Sequence, residues 1–300
     1  MSDQASIPSL AAVAALRGHP QFDIAARESV RNVVGLYRAD RLLNALMSDR
    51  ARALFTHAAL YLHYGRTRDG EPGLTVGAMK DLCVEIELCS RGRCEAMLAL
   101  MRAAGLFAAA PNLDRRRRPL VPTEKLFALH RERWTAHLRP MRHVIPEAVS
   151  WLASLDDPDF VRAFVMALSE RFVAGMRMVA HAPLLESFID RNAGLIILLS
   201  LAQSGPADGP FAATAPTELS INALASKFSV SRKHVLTLLR DAEELGLLVR
   251  GGPANNEVAF LPPGRDALEN FLATMFLYFA ECAEQAAPAK AVVPAAALAG

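Results

Sequence analysis

The chain has 300 residues, 52% hydrophobic and 21% charged, enough for about two domains with a sizeable core; a disordered or fibrous protein is excluded. Its 33 Lys+Arg against 31 Asp+Glu leave a formal charge of +2, so no global basic excess announces a nucleic-acid partner and any such face must come from local clustering. The lysines are Lys80, Lys125, Lys227, Lys233 and Lys290, which leaves 28 arginines, either a coding bias or a stock of planar, phosphate-competent forks.

Residues 1–19 read as a flexible N-terminus. Asp3 stands where a signal peptide is basic, and the apolar stretch at 10–16 is too short for one. The other long apolar runs, 194–202 and 271–280, fall short of the ~18–20 residues of a membrane helix. Three of four cysteines crowd together at Cys83, Cys89 and Cys94, unlike a secreted disulfide framework. The expectation is a soluble, cytoplasmic protein with no membrane contact.

Helical patterns follow in chain order. Ala26, Val30, Val33, Val34 and Leu36 form a loose first stripe. Shorter helices are expected at 50–64 and 182–202, and a wide stripe runs through Phe160, Phe164, Leu168, Phe172, Met176 and Val179. Loops rich in Gly and Pro separate them from later elements at 67–73 and 204–216. The last helix, 265–284, is apolar enough to pack on the N-terminal helices or on another chain. The Ala, Pro and Val tail at 286–300 reads as disordered.

An internal repeat organises these elements. Ser90-Arg91-Gly92-Arg93-Cys94 through Gly105-Leu106 resembles Ser231-Arg232-Lys233-His234-Val235 through Gly246-Leu247, at a spacing of 141 residues. Asp49-Arg50 falls on Asp190-Arg191 at the same spacing, and Pro20-Gln21-Phe22 faces Pro158-Asp159-Phe160. The shared order predicts two copies of one unit, residues 20–140 and 157–285, joined by a connecting helix or linker at 141–156.

The second copy predicts its own local structure. Ser220 caps a helix over 221–228 in which Ile221, Leu224 and Ala225 share a face. Ser231 caps a second helix, 232–245, whose buried stripe is Val235, Leu238, Leu239 and Ala242, and Gly246 ends it. Strands at 247–250 and 258–261 flank a Gly- and Asn-rich turn. From Thr75 to Ser90 the first copy is longer than from Ser220 to Ser231, 15 residues against 11, which predicts an extra helical turn in its first helix or in the turn after it.

The stretch LSINALASKFSVSRKHVLTLLRDAEELGLLVRGG, with a hairpin and a long helix after it, resembles the winged-helix transcription regulators of the multiple-antibiotic-resistance regulator (MarR) type. The likeness covers roughly residues 217–262 and extends more loosely to 74–123. It implies a mainly α fold of tandem winged helix-turn-helix units with two small β-hairpin wings, packed through long helices as a pseudo-dimer in one chain. The winged helices would span about 50–123 and about 183–262. It further implies that the motif's second helix enters the major groove of double-stranded DNA while the wing reaches backbone or minor groove. In the family the flanking helices form a dimer and often shape a small-ligand pocket; for this chain a small-molecule effector and a homodimer both stay open. Met47, Phe55, Tyr61, Phe172 and Met176 are candidates to line such a pocket, or are simply core.

The residue types agree with DNA contact. If Val235, Leu238, Leu239 and Ala242 face the core, then Arg232, Lys233, Leu236, Thr237 and Arg240 lie opposite. Arg232 or Lys233 can read guanine or hold phosphate, Thr237 can bond a base edge, and Leu236 can meet a thymine methyl. His234 stands beside them, for DNA or for a local bond. The first copy offers Ser90, Arg91 and Arg93 beside the acid Glu95, a poorer helix face, although Glu95 can accept from a cytosine amine. Its wing compensates, with Arg115, Arg116, Arg117 and Arg118 at the tip. Residues 88–118 together carry +5, hidden within the small total.

Cys89, next to a helix N-terminus that lowers thiol pKa, is the candidate redox sensor, against small buried hydrophobes as the simpler reading of all three cysteines. The histidines fit no ligand spacing and are expected at the surface or core edge. No P-loop, dinucleotide fingerprint or GxSxG occurs, so no enzyme, metal or cofactor is expected. Two rival functions remain, a plasmid-type replication initiator and a tandem winged-helix adaptor that binds proteins without DNA.

Overall fold

The structure is a computed structural model that describes residues 7–37, 50–65, 73–110, 119–205, 211–212 and 214–287. These residues are mainly helical, with two small antiparallel sheets among them. No helix among these residues is long and apolar enough to cross a membrane.

One order of elements occurs twice. In the first half, α1 (Leu10–Arg17) precedes α2 (Phe22–Gly35), α3 (Arg50–Tyr64), α4 (Val76–Glu85), α5 (Arg91–Ala103), the hairpin β1 (Phe107–Ala109) and β2 (Leu120–Pro122), and the long α6 (Glu124–Met141). A short α7 (Ala148–Ala153) connects it to the second half. There α8 (Pro158–Val173), α9 (Glu186–Ile189) and α10 (Gly194–Ala202) lead to β3 (Thr217–Glu218), α11 (Ile221–Lys227), α12 (Arg232–Glu244), the hairpin β4 (Leu248–Gly251) and β5 (Glu257–Phe260), and α13 (Pro262–Ala286).

The packing repeats as well. Each long terminal helix lies on an early helix of its own half, α6 on α2 and α13 on α8. Between halves the contacts are reciprocal, with α3 against α8 and its counterpart α10 against α2. Apolar stripes cause this arrangement: Phe160, Phe164 and Leu168 of α8 and Phe271, Met275 and Phe279 of α13 are all buried, and each side chain of that size contributes roughly 1.5–3 kcal/mol. Polar ties fix the register. The Tyr278 hydroxyl donates to the Leu168 carbonyl and Arg171 pairs with Glu281 across α8 and α13. Arg142 and His143, just beyond α6, both reach Glu28 of α2 at 2.7 Å.

The sheets carry the hairpins. Phe107 faces Pro122 and Ala109 faces Leu120 in the first; Leu248 faces Phe260 and Gly251 faces Glu257 in the second. β3 adds a third strand to the second sheet, pairing with β5, where only two strands were expected. Its counterpart is the single bridge from Thr75 to Pro119. Gly264 lets the first turn of α13 lie on the second hairpin, because a Cβ there would meet the Leu247 carbonyl oxygen at 1.9 Å.

Three expectations need correction. Residues 1–19 are not all flexible: Ser9 caps α1 through the Ala12 N–H at 3.1 Å, and Arg17 pins the helix to α13 through Asp266 and Glu269, each at 2.6 Å. The expected helix at 182–202 is broken into a 3-10 turn (Pro183–Leu185), α9 and α10. Ala193 sits at φ +55 and Gly194 packs so closely that a Cβ would meet the Phe188 carbonyl oxygen at 2.3 Å, a geometry a continuous helix does not allow. The tail begins later than expected, since α13 runs to Ala286; 288–300 lie outside the described residues.

Candidate nucleic-acid interface

Local chemistry builds the helix–turn–helix segments. Ser220 Oγ accepts from the Ala223 N–H at 3.3 Å and Ser231 Oγ from the His234 N–H at 3.1 Å. Thr75 and Ser90 repeat these caps on Ala78 and Arg93 at 3.1 and 3.3 Å, each worth about 1 kcal/mol. Ser90 and Ser231 are therefore helix caps first, keeping only their O–H to donate outward. Gly246 ends α12 at φ +67, with the Leu247 N–H on the Ala242 carbonyl at 2.8 Å and its own N–H on Glu243 at 2.9 Å, a Schellman ending. Gly105 ends α5 in the same way at φ +74. The extra four residues of the first copy split between helix and turn: α4 has 10 residues against 7 in α11, and the turn takes one more.

On α12 the expected faces separate. Val235, Leu238, Leu239 and Ala242 are fully buried, while Arg232, Lys233, Leu236, Thr237 and Arg240 are exposed. Arg232, Lys233 and Arg240 have no ion-pair partner among the described residues. His234 is turned away from that role. It is half-buried, and its Nε2 donates to the Asn192 carbonyl at 2.8 Å, so the ring anchors α12 to the turn before α10. Asp241 adds a second anchor by pairing with Arg191.

The second hairpin supplies no free cation at its base. Arg250 holds Glu243 with Nη2 at 2.6 Å, Nε at 2.9 Å and its backbone N–H at 3.0 Å. Those bonds keep the Glu243 carboxyl below the usual carboxylate range despite some burial. In the first half, Arg91 lies 2.5 Å from Asp81 and Lys80 pairs with Glu95. Arg91 and Asp81 are both exposed, a setting where a pair is worth about 0–1 kcal/mol, so phosphate can compete for the guanidinium. Arg93 is exposed beside it. The Ala110 N–H closes the first hairpin on the Pro119 carbonyl at 3.0 Å; Arg115, Arg116, Arg117 and Arg118 lie outside the described residues.

Cys83, Cys89 and Cys94 form one cluster. Cys94 is fully buried, at the register of Val235. Burial raises the Cys89 thiol despite a hydrogen bond from Cys83 and the nearby Arg93, and the Cys94 charge raises it further, which removes the reason for choosing it as a low-pKa sensor. Cys94, also within hydrogen-bond reach of Cys83, is lowered by that contact, inside the core. Labelling with a disulfide reagent at pH 7 should modify Cys89 before the three buried thiols, at least tenfold more slowly than free cysteine; a rate equal to free cysteine would refute this description.

A cavity of about 280 Å³ occupies the space between the two halves. Of the five pocket candidates, Tyr61, Phe172 and Met176 line it; Phe55 is core and Met47 lies outside the described residues. Sequence reasoning missed its polar members, among them Ser29, Arg133, His137 and Ser169. The histidines also depart from expectation. The ring of buried His130 lies 4.5 Å from His57 and 5.1 Å from Trp134, and burial pushes His137 down to about 3. Comparison with known proteins finds no matching family model, no similar curated protein and no similar solved structure.

Proposed function

We propose that the chain is a double-stranded DNA-binding transcriptional regulator of the MarR-like kind, in which two winged helix-turn-helix units in one chain form a pseudo-dimer on a single duplex. The observation that carries this reading is α12, a doubly anchored helix with a buried apolar face and an opposite face bearing Arg232, Lys233 and Arg240, without ion-pair partners among the described residues, around Thr237 and Leu236. Phosphate contacts from such cations position a protein on DNA, and bidentate arginine contacts in the major groove read guanine. The repeated helix–turn–helix and hairpin order, with reciprocal packing between halves, supports two readers per chain. They are unequal, α12 using an open basic face and the first half using Arg91, Arg93 and the arginines of its wing.

Footprinting on genomic fragments selected for binding tests this. One chain is expected to protect two unlike sites about one helical turn (~34–36 Å) apart. Two identical half-sites, each occupied by a separate chain, would contradict it. Protection of iterated repeats would favour a replication initiator instead.

A further inference from the structure

We propose that the outer edge of β1 docks an extended acidic segment of a partner protein, which adds to the first hairpin as a further strand. The hydrogen bonds of the hairpin define what this edge presents. The Leu120 N–H turns away from β1 to the Leu74 carbonyl at 2.9 Å, while Ala110 donates to Pro119 and Thr123 to Leu106, each at 3.0 Å. Facing residues of an antiparallel pair alternate between bonded and non-bonded. Ala109, which faces Leu120, and Phe107, which faces Pro122, therefore turn their N–H and C=O groups outward.

The second half closes the same edge and the first does not. At the 141-residue spacing Ala109 corresponds to Arg250, and Arg102 to Glu243. The Arg250 N–H, outward on β4, donates to the Glu243 carboxylate at 3.0 Å, and the Arg250 guanidinium holds that carboxylate in place. An arginine at 102 has no acceptor to offer the Ala109 N–H, and that N–H makes no hydrogen bond among the described residues. Ala108 and Ala109 are exposed and too small to screen the backbone. The charged side chains and prolines that ordinarily blunt an edge strand are missing from 107–110.

Charge selects the occupant. Arg102 is exposed, without an ion-pair partner among the described residues. Lys125 stands at the same end of α5, on the Ala104 carbonyl at 2.9 Å, and residues 88–118 carry +5. A second copy of this chain would bring that charge against itself. An acidic strand meets it instead, main-chain bonds supplying affinity and carboxylates supplying selection. The docking does not depend on DNA binding.

Fluorescence anisotropy of labelled hexapeptides with the full chain, up to about 1 mM, tests the edge. The probes are TEVEVT, its lysine counterpart TKVKVT, and TEVEVT with every amide N-methylated. TEVEVT should bind at least tenfold tighter than either control. The double change Arg102→Glu/Ala109→Arg, which installs the cap of the second half, should lower its affinity at least tenfold. So should Ala109→Pro, which removes an outward donor and keeps the hairpin bonds, covering the case where the double change fails to fold. No saturable binding of TEVEVT, equal binding of the N-methylated form, or unchanged affinity in a folded Ala109 variant would overturn the proposal. A wild-type dimer in sedimentation that Ala109→Pro dissociates would overturn it too, assigning the edge to a second copy.

Discussion

Changing Arg232 and Lys233 together to alanine is expected to weaken binding to a selected DNA fragment by about 30- to 1000-fold, that is roughly 2–4 kcal/mol, a bidentate base contact accounting for ~1–3 kcal/mol and phosphate contact for the remainder. If both hold phosphate, the slope of log affinity against log salt becomes shallower by about 2, since each phosphate contact contributes ~0.9. Stability should hardly change, because both side chains are exposed and without ion-pair partners among the described residues; surface changes of this kind fall within about 0.5 kcal/mol. Fluorescence anisotropy across a salt series, with thermal melts of the same samples, measures both. A Thr237→Ala change in place of the two cations should lower discrimination between sequences without altering the salt slope.

Acid should destabilise the fold through its interior histidines. Burial, then the charge of Arg133 and proximity to His57, push His137 from an ordinary value near 6.5 down to about 3, and burial drives His130 well down too. The folded state holds these rings neutral, whereas the unfolded chain takes up protons below about pH 6.5. The unfolded state therefore binds more protons between about 6.5 and 3, so stability rises with pH across that window and falls as pH drops through it. His137 alone accounts for roughly 3 kcal/mol lost by pH 4, at ~1.4 kcal/mol per unit, a large share of the ~5–15 kcal/mol typical of a folded protein. Urea midpoints at pH 7, 5.5 and 4 measure it. His137→Leu should flatten the profile; an equal pH dependence in that variant would refute the assignment.

The second helix–turn–helix was legible because its signals are local. Ser220, Ser231 and Gly246 act within three or four residues of themselves, and the stripe from Val235 to Ala242 has a clear helical period. What escaped depends on distant neighbours. Thr217–Glu218 is a strand only because β5 lies beside it, and the break before α10 exists because Gly194 meets the Phe188 carbonyl. Arg250 is tied to Glu243 across a turn, a pairing that no local pattern announces.

The cavity was hidden for a related reason. Leu126, His130, Trp134, Leu138 and Met141 of α6 fall on one buried face, with Arg133 and His137 beside it. That polar residues share a core stripe is visible in the sequence, but a one-dimensional pattern does not distinguish a solvated edge from a buried pocket. Total charge alone concealed the α12 face that the helical period disclosed, since Arg232 and Lys233 are balanced by acids such as Glu243 and Asp241 whose charge is spent on Arg250 and Arg191.

Binding of the wild-type chain to a pool of genomic fragments, measured from ~50 to ~200 mM salt, tests the central claim most directly. The proposed DNA contacts predict tight binding at low salt that weakens by about 10³-fold or more over this range, with selected fragments retained longest. Binding that is absent at every salt concentration, or insensitive to salt, would contradict it.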